Sequence, residues 1–204
     1  MLHAGARVRP QRVISLGSRG KLVILTMESI VLKTRRLVLR SATPQLAAAD
    51  LSNRSDFARL LSAYVPEDWP PPLNDEASKT FTLTYLEENP DAAGWSTWYF
   101  LLPGKPEGSS QAAGIGGFKG KPSQGMVEVG YSMLPAYQRL GLASEAVAAL
   151  ADWAFSHPGV QLVTAKTLPS LLASIRVLEK NRFHLLGQGS EAGVIRYGCR
   201  RPSS

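Results

Sequence analysis

A hydrophobic strand pattern that runs straight into a glycine-bearing turn and then an apolar helix constrains this chain more than any other feature. Residues 127–134 read VEVGYSML, the turn carries Gln138, Arg139, Gly141 and Ala143, and ASEAVAALADWAF follows. Such a junction presents the backbone N–H groups of a helix's first turn, at the positive end of its dipole, where an anion can bind. Gly141 and Ala143 keep bulk away from the backbone, and Arg139 adds a donor. The spacing predicts a pyrophosphate site. Neither common nucleotide motif fits. GxxxxGK[ST] is absent, and GIGGFKG at 114–120 begins with GxG but then breaks the pattern and opens no helix.

The remaining pattern reads as one mixed domain. RLVLRS within 30–41 alternates apolar and basic residues, as a strand does. Thr43 and Pro44 read as an N-cap and first-turn proline for a helix over 44–64. EDWPPPLN at 67–74 is a loop, because three consecutive prolines cannot lie inside a helix. A second helix is expected over 75–88, strands over 96–102, 112–119 and 127–134, and a polar turn over 105–110. The glycines of 112–119 predict a bulge or close approach. A long helix over 139–156, a strand over 161–168, a helix over 170–181 and strands near 183–187 and 193–200 complete an α+β sandwich with helices on both faces of one sheet.

Composition narrows the function classes. The net charge is +7, but Arg7, Arg9, Arg12, Arg19 and Lys21 supply five of those charges within residues 1–26, which hold no acid. That leaves +2 for the rest, without the aromatic interleaving or recognition motif of a nucleic-acid binder. Residues 1–26 are too interrupted for a secretory signal. MESIVLKTRRLVLR, beginning at Met27, reads as a natural start, so 1–26 are expected to be an extension or loose tail, with a functional basic arm as the alternative; 27–204 form the domain. No apolar run is long enough for a bilayer. The single cysteine, Cys199, points to a reducing compartment, the cytoplasm. His3, His157 and His184 have no metal-ligand spacing with Cys199 or the acids, so no metal is expected.

The run Gln138–Arg139–Leu140–Gly141–Leu142–Ala143 resembles the Q/R-x-x-G-x-G/A signature of the GNAT superfamily of acetyl-CoA-dependent N-acetyltransferases. TRRLVLRSATP, VEVGYSMLPAYQRLGLASEAVAAL and ASIRVLEKNRF resemble blocks of its RimJ/RimL-type branch, which includes ribosomal-protein N-terminal acetyltransferases. The resemblance implies a mixed, mostly antiparallel sheet whose two central parallel strands splay apart around acetyl-CoA, and a possible homodimer. It implies that Ser132, Met133 and Leu134 lie beside the pantetheine arm, and that Gln138, Arg139, Leu140, Gly141, Leu142, Ala143 and Ser144 wrap the pyrophosphate. Ser174 stands where this branch places a hydroxyl near the thioester sulfur. Two positions depart. Leu171 replaces an asparagine and Arg182 a glycine, which is expected to weaken a cofactor contact and to strain a turn if positive φ is needed there.

Amine acetylation needs a neutral amine, a donor for the developing oxyanion and a proton or a hydrogen bond for the departing thiolate. Glu128 is the candidate base, N–H groups of the central strand near Tyr131 the oxyanion donor, and Ser174 the donor to sulfur, with Tyr131 a further candidate. Trp69, Trp98 and Tyr99 are candidates to line the acceptor pocket, and Glu67 and Asp68 to attract a cationic amine; Glu145 and Asp152 on the long helix are expected to be solvated or paired. The acceptor is an amine, either a protein N-terminus or a small molecule. The competing expectation is an acyl-CoA binder or sensor without turnover.

Overall fold

The structure is a computed structural model and describes residues 28–104 and 110–202. The expected tail and most of the polar turn at 105–110 lie outside them. The alternating segment forms a hairpin of β1 (Val31–Lys33) and β2 (Val38–Ser41). The hydroxyl of Thr43 then accepts from the N–H of Leu46 and starts α1 (Pro44–Ser52). The single helix expected over 44–64 is two helices and a short strand: α1, α2 (Arg54–Leu61) and β3 (Ala63–Tyr64). Asn53 makes the break. Its backbone is extended (φ −146°, ψ 100°) and its side chain accepts from the N–H of Asp56, so one residue closes α1 and caps α2. Asp75 caps α3 (Glu76–Glu88), accepting from the N–H of Ser78.

The order continues with β4 (Thr97–Leu102), β5 (Ser110–Phe118), β6 (Met126–Met133), α4 (Leu142–Phe155), β7 (Leu162–Thr167), α5 (Leu172–Lys180), β8 (His184–Gln188) and β9 (Ile195–Arg200). The nine strands form one sheet, ordered β1-β2-β4-β5-β6-β7-β9-β8 with β3 beside β5. Pairing is antiparallel except for β3–β5 and β6–β7. Strand alternation feeds two cores. Trp98, Phe100, Val129 and Val163 pack with Ala146, Leu150, Trp153 and Leu178 from α4 and α5. Tyr99, Leu101 and Ile115 pack on the opposite face with Leu46, Phe57, Leu61 and Leu86 from α1, α2 and α3. Gly117 has φ 137°, and a Cβ there would strike the carbonyl of Ser96, so the close approach expected of the glycine-rich strand is present. Arg182 has φ 62°, so the residue that stands for the glycine does occupy the left-handed region, at a cost of roughly 1–2 kcal/mol.

The β6–β7 register ends at Glu128 opposite Thr164, although β6 runs on to Met133 and β7 to Thr167. Beyond that point β6 is held by β5, and β7 by β9. The two parallel strands therefore splay, and each turns an unpaired backbone edge toward the gap. Such edges are costly unless something pairs with them.

Candidate active site

A cleft of about 1640 Å³ runs through this gap and is lined from both faces of the sheet. Val127, Val129, Tyr131 and Met133 pack toward α4 and α5. Alternation therefore turns Glu128, Gly130 and Ser132 toward the α1–α3 face.

At one end lies the turn into α4. Gly141 (φ 76°) is the N-cap of α4 and offers no side chain to cap it, so the N–H groups of Leu142, Ala143 and Ser144 have no intrahelical partner. Arg139 also takes positive φ, 61°, to turn the chain. The loop is braced from behind. The Arg36 guanidinium donates to the carbonyl of Leu140 (2.8 Å) and to Glu145 Oε2 (2.8 Å), while Glu145 Oε1 accepts from the Arg36 N–H (2.7 Å) and Thr34 Oγ1 (2.6 Å). Burial pushes the Glu145 carboxyl up, but the hydrogen bonds from Thr34 and Arg36 and the charge of Arg36 outweigh it and hold it below the usual range. A lowered folded-state value contributes stability that is full above the unfolded pKa, about 4.3, and is lost as pH falls from there through the lower folded-state value. Glu145→Ala takes the acceptor from the Arg36 N–H and the Arg36 Nε, while the Thr34 hydroxyl keeps the Leu37 carbonyl. It should cost about 2–3 kcal/mol and lower Tm by roughly 5–10 °C in a thermal melt at pH 7, with the deficit shrinking below pH 4.

In the middle of the cleft the Tyr131 phenol lies 3.0 Å from Ser174 Oγ and donates to the Ser174 carbonyl at 3.1 Å. Burial pushes the Tyr131 phenol up, against the opposing hydrogen bond from Ser174, so it stays protonated well past neutral pH. On the α1–α3 face Glu128 lies 3.5 Å from Lys166, which also contacts Glu191 (3.1 Å) and Ser190 (2.8 Å). The floor below carries a buried ion pair, Lys79 with Asp50 at 2.8 Å, whose carboxylate also accepts from Trp69 Nε1.

The structure thus gathers Glu128, Tyr131, Ser132, Met133, Gln138, Arg139, Gly141, Leu142, Ala143, Ser144, Ser174 and Tyr99 around one cleft. Six candidates lie off it, Glu67 and Asp68 among them. Leu134 is buried in the core, its N–H bound to the Ala113 carbonyl. Leu140 turns its carbonyl to Arg36. Trp69 packs on Phe57 and Tyr99 and lines a separate recess of about 210 Å³. Trp98 is fully buried on the α4 face against Trp153, its indole bound to the Gly94 carbonyl, so it cannot line an acceptor pocket. Leu171 lines the cleft at the start of α5 without capping that helix. Asp50, Lys79, Lys166 and Thr167 line the cleft without having been singled out. The first two are 29 residues apart, and no local motif announces such a pair. Among the described residues no group of three or more His, Cys, Asp or Glu could hold a metal ion. Burial pushes the Cys199 thiol up, away from the thiolate that a nucleophile requires.

A family model described as "Acetyltransferase (GNAT) domain" matches residues 36–184. This chain belongs to the GNAT acetyltransferases. An uncharacterized N-acetyltransferase of Bacillus subtilis, YjdG, is 28% identical over 165 residues, 79% of this chain and 94% of the relative. Among solved structures, the ribosomal-protein-S5-alanine acetyltransferase of Vibrio fischeri superposes with a TM-score of 0.59 at 19% identity, covering 85% of this chain and 98% of that one. RimL, a ribosomal L7/L12 α-N-protein acetyltransferase solved with coenzyme A, gives 0.55 at 19% identity, covering 82% and 95%. At these identities the likeness is one of fold. A GNAT enzyme draws its acetyl group from acetyl-CoA, and the acetyltransferase described here fits that donor. The free N–H groups at the start of α4 suit a pyrophosphate, and the open edge of β6 suits an amide-bearing arm.

Proposed function

We propose that this acetyltransferase holds acetyl-CoA along the gap between β6 and β7 and transfers the acetyl group directly to an amine entering from the α1–α3 face. The observation that carries the reading is the single cleft lined from both faces of the sheet, which lets the two substrates meet without a covalent enzyme intermediate. In this reading Ser132 and Met133 lie beside the pantetheine arm. Gln138, Arg139, Gly141, Leu142, Ala143 and Ser144 hold the pyrophosphate. Backbone N–H groups of β6 near Tyr131 face the developing oxyanion. Ser174 donates a hydrogen bond to the departing thiolate, which takes its proton from water, and Glu128 takes the amine's proton, directly or through water.

The acceptor class we favour is the α-amino group of a polypeptide. Glu128 is tied to Lys166 at 3.5 Å, so taking the amine's proton costs it that ion pair. An α-amino group, with a pKa near 8, needs less help to become neutral than an alkyl amine with a pKa near 10.4. Leu73 and Phe81, both exposed along the α3 rim, leave an open wall for the residues that follow such a terminus. Thiol release from acetyl-CoA against peptides, amino acids, polyamines and aminoglycosides tests the assignment. Turnover with peptides is expected, and turnover confined to polyamines or aminoglycosides would overturn it. We take the compartment to be the cytoplasm, on the single cysteine; no helix among the described residues is long and apolar enough to cross a membrane.

Glu128→Gln is expected to lower kcat/KM about 10–100-fold near pH 6–7. Because only the acceptor's own ionisation then limits the rate, the deficit should shrink as pH rises past the amine's pKa. A pH profile parallel to that of the wild type removes Glu128 as the base.

A further inference from the structure

We infer that Thr167 is a donor-binding residue whose hydroxyl hydrogen-bonds the pantetheine arm. The side chain ends β7, beyond the last residue paired with β6, and lines the cleft. The residue is 7% exposed, yet its Oγ1 has no hydrogen-bond partner among the described residues. A buried hydroxyl left unpaired is costly, and native proteins rarely leave one without a use. Its neighbours show where it faces. Val163 and Ala165, at alternate positions on the same strand, pack into the α4–α5 core, so Thr167 faces the side that carries Tyr131 and Ser174, whereas Lys166 turns to Glu128 on the other face. Across the gap stands the unpaired edge of β6. A chain that lies between the two strands and pairs with that edge passes Thr167, and an amide or hydroxyl on it can pair with Oγ1. The adenine and phosphate end, bound at α4, does not reach this strand in the same reading.

This rests on acetyl-CoA occupying the gap, and the test separates the two ideas. Thr167→Val keeps the shape and removes the hydroxyl; Thr167→Ser keeps the hydroxyl. By calorimetry, Thr167→Val should weaken CoA binding about tenfold, with Thr167→Ser within about twofold of wild type. Adenosine 3′,5′-bisphosphate, which lacks the arm, should bind wild type and Thr167→Val alike. The Tm of the free Val variant should equal or exceed that of the wild type, because an unpaired hydroxyl has been removed. Unchanged CoA affinity in Thr167→Val overturns the assignment, as does an equal loss for CoA and the bisphosphate, or a lowered Tm, either of which marks Thr167 as structural. Wild type that fails to bind CoA refutes the occupancy of the gap instead.

Discussion

Ser174→Ala should lower kcat about 100-fold while leaving the Kd for CoA within about threefold of wild type. Departure of the thiolate puts negative charge on sulfur, and in the proposed mechanism Ser174, on the wall of the cleft, supplies the hydroxyl that meets it. Tyr131 positions that hydroxyl: the phenol, kept protonated by burial, donates to the Ser174 carbonyl, and its oxygen stands 3.0 Å from Oγ. The substitution leaves no stranded group. The Tyr131 hydroxyl still has the backbone carbonyl of residue 174 as acceptor at 3.1 Å. Position 174 lies inside α5, where alanine has the higher helix propensity, so Tm should hold or rise. Loss of rate without loss of stability or donor affinity is the signature of a group used in the chemical step. An unchanged kcat would assign stabilisation of the thiolate to water, and Ser174 would then be a helix residue anchoring Tyr131. Single-turnover measurement of acetyl transfer at saturating donor and acceptor separates the chemical step from product release.

The parts of this site that were legible in the sequence are those written in contiguous residues. The proposed anion site is one turn between one strand and one helix, and its glycine, its lack of bulk and its dipole are all local properties. The splay of β6 from β7 followed from the resemblance, and pattern alone did not contain it, because a strand looks the same whether its edge is paired or open. The errors have a common physical origin. Trp98 and Tyr99 are adjacent aromatic residues on one strand, and alternation sends one to each face; side-chain type says nothing about which. Only the identity of the partner elements, Trp153 for one and Phe57 for the other, decides it. The break at Asn53 was missed because the apolar spacing of 44–64 fits a single helix, and one side chain capping the next helix outweighs that periodicity. Asp50 with Lys79, and Glu128 with Lys166, pair across the fold, so their meeting is a property of the tertiary structure.

Ser144→Asp should raise the Kd for CoA about 100-fold, a loss of about 2.7 kcal/mol, with no loss of fold stability. The two halves of this expectation have the same source. Ser144 is the third residue of α4, and its N–H is among those left without an intrahelical partner behind Gly141. A carboxylate there interacts favourably with the helix dipole, by about 0.3–1 kcal/mol, so the free protein should melt at the same temperature or slightly higher. The same carboxylate competes for the N–H groups that receive the pyrophosphate and repels its charge. At a separation of about 4–5 Å and an effective dielectric near 20, one such pair of like charges is worth roughly 3–4 kcal/mol before screening. The backbone carbonyl of Ser144 continues to accept from Asn181, so the α4–α5 contact is not disturbed. Ser144→Asn, of the same shape without the charge, should stay within about threefold of wild type. The defect of the Asp variant should shrink between 0.05 and 0.5 M salt as screening increases. Equal affinities for Asp and Asn variants, measured by calorimetry at low salt, would place the phosphates away from the start of α4 and leave the glycine at 141 as a turn with no ligand.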